Sequence, residues 1–200
     1  MERKEYSAGA VKLSFWFIEF RKVVELLSEG KDINQIKSLA LNENLFAAPT
    51  TLRASQIYHT VTGRIKTLDK SFIPLFMRSD LATQKLFALV AAMAYDTLFF
   101  DFVYEVIREK MILGTTELSD SDVRVFFKDK QQQNEKVAGW TDATLVRLGR
   151  CYKTMLYEAG VIDKAKTARK ILRPILDPEL VRWLNQNDMG VYVKALAGVR

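Results

Sequence analysis

The chain has 200 residues, of which 48% are hydrophobic and 27% charged, a balance typical of a folded protein rather than a disordered one. The net charge is +6 and lies towards the carboxyl end, because residues 141–200 contain 11 Lys and Arg against 6 Asp and Glu, whereas residues 1–140 contain 19 against 18. One cysteine (Cys151) and one histidine (His59) exclude an internal disulfide and the usual zinc sites.

The first half of the chain predicts a series of helices, with apolar residues at helical spacing and capping residues at the starts. These helices are expected from Ser14 to Gly30, Asp32 to Phe46, Pro49 to Leu68, Asp80 to Tyr95 and Thr97 to Met111. Phe72 to Met77 should form a short helical turn broken by Pro74. The last two helices are apolar almost all round, which indicates a central position.

The helix from Thr50 carries basic residues that matter for an RNA-binding alternative. We expect Leu52 to lie on its apolar face. Arg53, Arg64 and Lys66, like His59, are expected on its surface.

Residues 81–107 are the best candidate for a membrane span. The longest uncharged run, Leu86 to Tyr95, is far shorter than the roughly 20 residues that cross a bilayer. Asp96 and Asp101 would be costly in lipid. The amino terminus also lacks the long apolar core of a signal peptide. We therefore expect buried helices and a cytoplasmic protein without a membrane partner.

A helix-turn-helix pattern follows the predicted domain boundary at Leu113 to Thr116, which divides the chain into residues 1–113 and 114–200. Ser119 and Thr141 stand at the starts of two helices separated by a Gly-Trp turn. After the second helix come two β-compatible pieces, Val161-Ile162 and Lys170 to Arg173, with the character of a hairpin. Helix, turn, helix and basic wing is a common way of presenting a helix to a DNA groove.

The second of these helices predicts both a buried and a basic face. Leu145, Leu148, Tyr152, Met155 and Ala159 form an apolar stripe. Cations lie on the outward faces of this helix and in the segment after it, where they could contact phosphates or base edges. The candidate nucleic-acid-binding residues are Arg147, Arg150, Lys153, Lys164, Lys166, Arg169, Lys170 and Arg173. An ordinary solvated helix face is the alternative interpretation.

The residue inventory does not assemble a catalytic site. Walker, GxGxxG, HExxH and GxSxG motifs are absent. Asp96 and Asp101 are poorly spaced for one helical face, and acids near Ser119 are favoured by the helix dipole alone. We therefore expect no enzyme activity, no cofactor and no metal.

The pieces Tyr6-Ser7-Ala8-Gly9, Val137-Ala138-Gly139-Trp140 and Leu172-Arg173-Pro174 occur in an order and spacing that resemble the BrxA family. Members of this family are small components of BREX bacteriophage-exclusion systems, and the resemblance runs from about Tyr6 to the end of the chain. It implies an all-α protein of two helical bundles, one NusB-like and one helix-turn-helix or winged-helix-like, with a possible small β-hairpin. It further implies binding of double-stranded DNA and, as partners, the methyltransferase, AAA+ and phosphatase-like proteins encoded alongside. No catalytic residues carry over.

Three functions therefore remain open at this point. The first is DNA binding through the basic carboxyl-terminal helix and wing. The second is NusB-like RNA binding, in which Arg53, Arg64 and Lys66 would matter more. The third is a protein–protein adaptor whose basic patch meets an acidic partner.

Overall fold

The computed structural model describes residues 4–166 and 168–200. Most of these residues are helical, and the strands form a single small antiparallel sheet of two strands, which confirms the predicted all-α fold with a small β element. The described chain forms two compact units. We call Phe15–Tyr95 the amino-terminal unit, and residues 4–14 with Asp96–Arg200 the carboxyl-terminal unit.

The amino-terminal unit is built around clustered aromatic side chains. Phe20 lies 5.8 Å from Phe76 and 6.4 Å from Phe72 between ring centroids, and all three are buried. Tilted rings at such separations add to the stabilisation from apolar burial. The helices of this unit are α1 (Phe17–Ser28), α2 (Ile33–Asn42), α3 (Thr51–Ile65), α4 (Phe72–Arg78) and α5 (Leu81–Tyr95).

Several local predictions for this unit are wrong. Pro74 does not break α4, because it lies in the first turn, where backbone N–H groups lack intrahelical partners. Leu52 is 83% exposed. Arg64 is buried instead of exposed, and its Nη1 donates a hydrogen bond to the Phe15 carbonyl oxygen at 2.6 Å. The first helix begins at Phe17, after Trp16 adopts a left-handed conformation with φ of 52°.

The carboxyl-terminal unit contains most of the remaining elements. Its helices are α6 (Thr97–Phe102), α7 (Arg108–Ile112), α8 (Asp120–Gln133), α9 (Glu135–Ala138), α10 (Asp142–Glu158), α11 (Pro178–Gln186) and α12 (Gly190–Ala197). A π-helical segment, Val103–Ile107, joins α6 to α7, and a short 3-10 helix, Ala8–Lys12, precedes the amino-terminal unit in the chain.

The division between the units differs from the predicted boundary. It falls at Tyr95 and Asp96, whereas Leu113 to Thr116 is a turn inside the carboxyl-terminal unit. Packing across α6 and α10 explains the position, because Phe99 lies 4.8 Å from the ring of Tyr152. The 3-10 helix packs against α10 as well, so the chain before Ser14 belongs with the carboxyl-terminal unit.

The predicted hairpin is present and is joined by a strand that the sequence did not indicate. Ile162 and Ile171 form an antiparallel bridge, beside which the Asp163 N–H donates to the Lys170 carbonyl at 3.0 Å. On the other side, β1 (Glu117–Ser119) pairs antiparallel with β2 (Ala168–Lys170). The chain order is β1, α8, α9, α10 and hairpin, an arrangement that matches the predicted helix-turn-helix except for the additional short helix α9. Thr167, within the predicted basic segment, and residues 1–3 lie outside the described residues.

Among the described residues, no single helix is long and apolar enough to cross a membrane; by length and composition alone, Leu81–Tyr95 and Thr97–Ile112 reach that requirement only together, as a bent pair.

Candidate nucleic-acid interface

The two helices of the motif begin at the predicted capping residues. The Ser119 Oγ accepts a hydrogen bond from the Asp122 N–H at 3.2 Å, and the Asp122 carboxylate accepts one from the Ser119 N–H at 2.7 Å, which completes a capping box. The Thr141 Oγ1 accepts from the Thr144 N–H at 3.3 Å. The turn between them contains an extra turn of helix, α9, that the sequence did not predict.

A glycine allows α10 to approach α8 closely. A Cβ on Gly149 would lie 2.6 Å from Val123 Cγ1 and 3.5 Å from Phe127 Cε2. Distances below 3.0 Å to a Cβ require something to move, so the helices pack at this separation because residue 149 has no side chain.

The buried and exposed faces of α10 follow the predicted helical phase. Leu145, Leu148, Tyr152, Met155 and Ala159 are all buried, as expected. The opposite face exposes Asp142, Ala143, Val146, Arg147, Arg150, Thr154 and Tyr157. On this face Ala143 and Val146 precede the two arginines and Thr154 and Tyr157 follow them, a composition that can approach base edges while the arginines contact phosphates.

Five of the eight predicted cations are exposed and have no ion-pair partner among the described residues. They lie along α10 and the hairpin. The hairpin follows directly from the end of α10, where the Val161 N–H donates to the Leu156 carbonyl at 2.8 Å. The five are Arg147, Arg150, Lys164, Lys166 and Lys170. Exposed cations outside ion pairs attract solvent counterions, which a polyanion can displace.

Lys153 and Arg169 lie closer to the protein interior, beside Asp120. The Lys153 side chain is 12% exposed and its Nζ forms an ion pair with the Asp120 carboxylate. This hydrogen bond lowers the pKa of Asp120 against the opposing effect of partial burial, with further contributions from Lys153, Arg124 and Arg169 as nearby charges. Arg169 is half-buried, and its Nε has no hydrogen-bond partner among the described residues. Lys153 and Arg169 thus form part of a charge cluster at the start of α8.

Arg173 is exposed, but its guanidinium group already makes a hydrogen bond within the protein. Its Nη2 donates to the Gly198 carbonyl oxygen at 3.0 Å, which ties it to the end of α12. Arg173 therefore satisfies an otherwise orphaned carbonyl at a helix terminus.

Two cations on α8 were missed by the sequence reasoning. Arg124 and Lys128 are both exposed and stand four residues apart, which places them on one face of the first helix of the motif. Arg124 lies near enough to Asp120 to lower the pKa of that carboxyl group. Because the first helix of such motifs crosses the DNA backbone, four-residue spacing of cations on α8 was the available signal.

The RNA-binding set of the amino-terminal unit does not form one basic surface. Arg53 lies over the ring of Trp16, 4.8 Å from its centroid, and Arg64 is buried. Of the three residues, Lys66 is exposed, Arg53 is half-buried and Arg64 is buried.

The residues of the described chain that could bind a metal ion or act as a nucleophile do not form a cluster. Within residues 4–166 and 168–200, no group of three or more His, Cys, Asp or Glu side chains could hold a metal ion. Cys151 is half-buried, and burial raises the pKa of its thiol, which disfavours the reactive thiolate.

Comparison with known proteins places the chain in a family. The family model described as BrxA matches residues 4–188. The BREX protein BrxA of Bacillus cereus (strain H3081.97) is 38% identical over 182 residues, 91% of each chain. The BREX protein BrxA of Escherichia coli O9:H4 (strain HS) is 24% identical over 174 residues, which cover 86% of this chain and 81% of that protein.

A solved structure shares the fold. The crystal structure of an uncharacterized protein from Magnetospirillum magneticum superposes with a TM-score of 0.81 at 20% sequence identity, covering 98% of this chain and 100% of the other. With the family model spanning nearly the whole sequence, the chain belongs to the BrxA family.

Proposed function

We propose that this protein is a non-enzymatic component of a BREX phage-defence system and binds double-stranded DNA, largely through phosphate contacts of α10 and the hairpin. Its BREX membership is supported by the named relatives. The observation that carries DNA binding is the set of five exposed cations, on α10 and the hairpin, for which the described part of the chain supplies no ion-pair partner. The other BREX components, including the methyltransferase, AAA+ and phosphatase-like proteins, are the protein partners, and the cytoplasm is the proposed compartment.

Phosphate contacts and base contacts have separable signatures. Each phosphate contact releases counterions, so binding weakens steeply with salt and equally for all sequences. The exposed face of α10 has few groups able to form bidentate base contacts apart from Arg147 and Arg150. We therefore expect limited sequence preference and a strong salt dependence.

The test is a fluorescence-polarisation titration of labelled duplex DNA over a series of salt concentrations. The variant Arg147→Ala/Arg150→Ala should bind more weakly and lose about two from the slope of log affinity against log salt. Arg182→Ala/Lys194→Ala removes two exposed cations of α11 and α12 and is the matched control, expected to behave like the unmodified protein. Equal losses in both variants, or no binding at low salt, would contradict the proposal.

The two remaining functions are distinguished by further arms of the same experiment. Structured RNA that outcompetes duplex DNA would support the NusB-like alternative, although the burial of Arg64 argues against its basic set. An adaptor without DNA binding would instead co-purify with BREX components after nuclease treatment and show no salt-dependent titration.

A further inference from the structure

The amino-terminal unit contains a cleft that the proposed DNA surface does not use. Its volume is about 710 Å³. The end of α1, the start of α2, the end of α3 and the start of α4 enclose it. A volume of this size lies within the range of roughly 300–1,000 Å³ that is usual for small-molecule sites.

The floor of this cleft is apolar. Ile65, Leu68 and Phe72 are buried, and each contributes to the lining. Ile33 and Ile73 are half-buried beside them and leave apolar surface facing the opening. A ligand that removed this surface from water would gain about 25 cal/mol per Å² of apolar area.

The rim of the cleft is basic. Lys66 and Lys70 are exposed, and neither has an ion pair or hydrogen bond from its amine among the described residues. Lys31 completes the rim but pairs with Glu29 at 3.3 Å.

The carboxylate on the rim is already engaged. Asp32 Oδ1 accepts hydrogen bonds from the Asn34 and Gln35 N–H groups at 2.7 and 2.9 Å, in the first turn of α2. The first-turn amides are thereby occupied, so the lysines are the available groups for an anion. The lining contains three lysines against one aspartate, and this excess of positive charge above an apolar floor attracts a negative charge attached to an apolar body.

We propose that this cleft binds a small organic anion with an apolar body, of the class of an alkyl or aryl phosphate, sulfonate or carboxylate. The apolar body lies on the half-buried Ile33 and Ile73, above the buried floor, while the anionic group meets Lys66 and Lys70. A nucleic-acid backbone could use the two lysines but would leave the apolar surface of Ile33 and Ile73 in water. This site belongs to the amino-terminal unit and is independent of DNA binding by α10.

The test uses the full-length protein labelled with ¹⁵N and titrated with hexyl phosphate. Amide shifts should concentrate on the lining residues, for example Gly30, Ile33 and Ile73. Inorganic phosphate lacks the apolar body and hexanol lacks the charge, so each should bind at least about tenfold more weakly than hexyl phosphate.

Two variants separate the charge from the apolar floor. Lys66→Gln/Lys70→Gln should weaken hexyl phosphate binding by about tenfold. Lys37→Glu changes the net charge by the same amount at an exposed position of α2 outside the cleft and should leave binding unchanged. Ile73→Trp places a bulkier side chain in the path of the alkyl chain and should weaken its binding, with a dispersed amide spectrum showing that the variant is folded.

Three results would overturn the proposal: shifts that map outside the cleft, equal affinity for inorganic phosphate, and equal weakening by Lys37→Glu. Displacement of hexyl phosphate by duplex DNA would also overturn it, because the lysines would then form part of a nucleic-acid surface. None of these results bears on the salt-dependent DNA titration of the α10 variants.

Discussion

Lys153 and Arg150 lie one turn apart on α10, yet their side chains have different surroundings. Lys153 is largely buried and paired with Asp120, whereas Arg150 is exposed and has no ion-pair partner among the described residues. A cation whose charge is already neutralised by a carboxylate has few counterions to release to DNA. The same charge in the sequence therefore corresponds to a structural role at one position and to a proposed phosphate contact at the other.

Substitution should separate these two roles. Lys153→Met should lower the free energy of unfolding by about 1 kcal/mol and leave DNA affinity nearly unchanged. Arg150→Ala should leave stability unchanged and reduce the salt slope of DNA binding by about one. Urea unfolding and fluorescence polarisation measure the two effects. A Lys153→Met variant that weakens DNA binding as much as Arg150→Ala, without loss of stability, would contradict this assignment.

Two tyrosines, Tyr6 (half-buried) and Tyr192 (buried), predict a loss of stability at alkaline pH. The Tyr6 hydroxyl donates to Asp101 Oδ2 at 2.6 Å. Burial, followed by this bond and the Asp101 charge, raises the pKa of Tyr6 above the ordinary 10.0. Burial also raises the pKa of Tyr192 to about 12.

Because the folded state disfavours the phenolates, their contribution to stability is complete below pH 10 and is lost as pH rises through the raised pKa values. We expect the free energy of unfolding to fall between about pH 10 and 12. Tyr6→Phe should lose stability below about pH 10, through the missing hydrogen bond, but should show a shallower alkaline decline. Identical declines in the two proteins would show that Tyr6 does not contribute to it.

At the level of elements, the contact between α8 and α10 limits side-chain size at one position. Gly149→Ala should destabilise the protein by about 1–3 kcal/mol, because the new Cβ would lie 2.6 Å from Val123 Cγ1. Val123→Ala should recover part of that loss. Gly139→Ala is the matched control, since its backbone has φ of −76° and the new Cβ would lie no nearer than 3.7 Å to another atom. Thermal or urea unfolding of the three variants tests this, and equal effects of the two glycine substitutions would contradict the packing argument.

The carboxylate of Asp163 stabilises the hairpin that follows α10. Asp163 Oδ1 accepts hydrogen bonds from the Ala165 N–H at 3.1 Å and the Lys170 N–H at 3.0 Å, which holds the two sides of the hairpin together near Lys164 and Lys166. Pre-ordered contacts bind with a smaller entropic cost than mobile ones.

Asp163→Ala should therefore weaken DNA binding, although it removes a negative charge. Asp163→Asn removes the same charge but keeps an oxygen acceptor, so it should bind DNA at least as tightly as the unmodified protein. Fluorescence polarisation measures affinity, and amide exchange at Lys170 reports the order of the hairpin. Tighter binding by Asp163→Ala would show that net charge, and not hairpin order, controls the interaction.

At the level of the whole molecule, the chain consists of two units with separate cores, and its division was the least predictable feature. Glycine and threonines at Gly114 to Thr116 resemble a linker, but this turn lies inside the carboxyl-terminal unit. The break at Tyr95 and Asp96 falls between two apolar helices that a sequence shows only as adjacent. Family membership, by contrast, followed from a pattern over nearly the whole chain, and the family match to residues 4–188 confirms it.

The sequence alone determined the features that depend on near neighbours. Helix starts at Ser119 and Thr141 and the buried stripe of α10 follow from capping and helical phase, which involve residues within about four positions. Only the tertiary structure decided which cations are free, because the partner of Lys153 is 33 residues away and that of Arg64 is 49 residues away. The sequence does not show which residues such distant partners are. The structure was therefore needed to identify which cations of the candidate interface lack an ion-pair partner among the described residues.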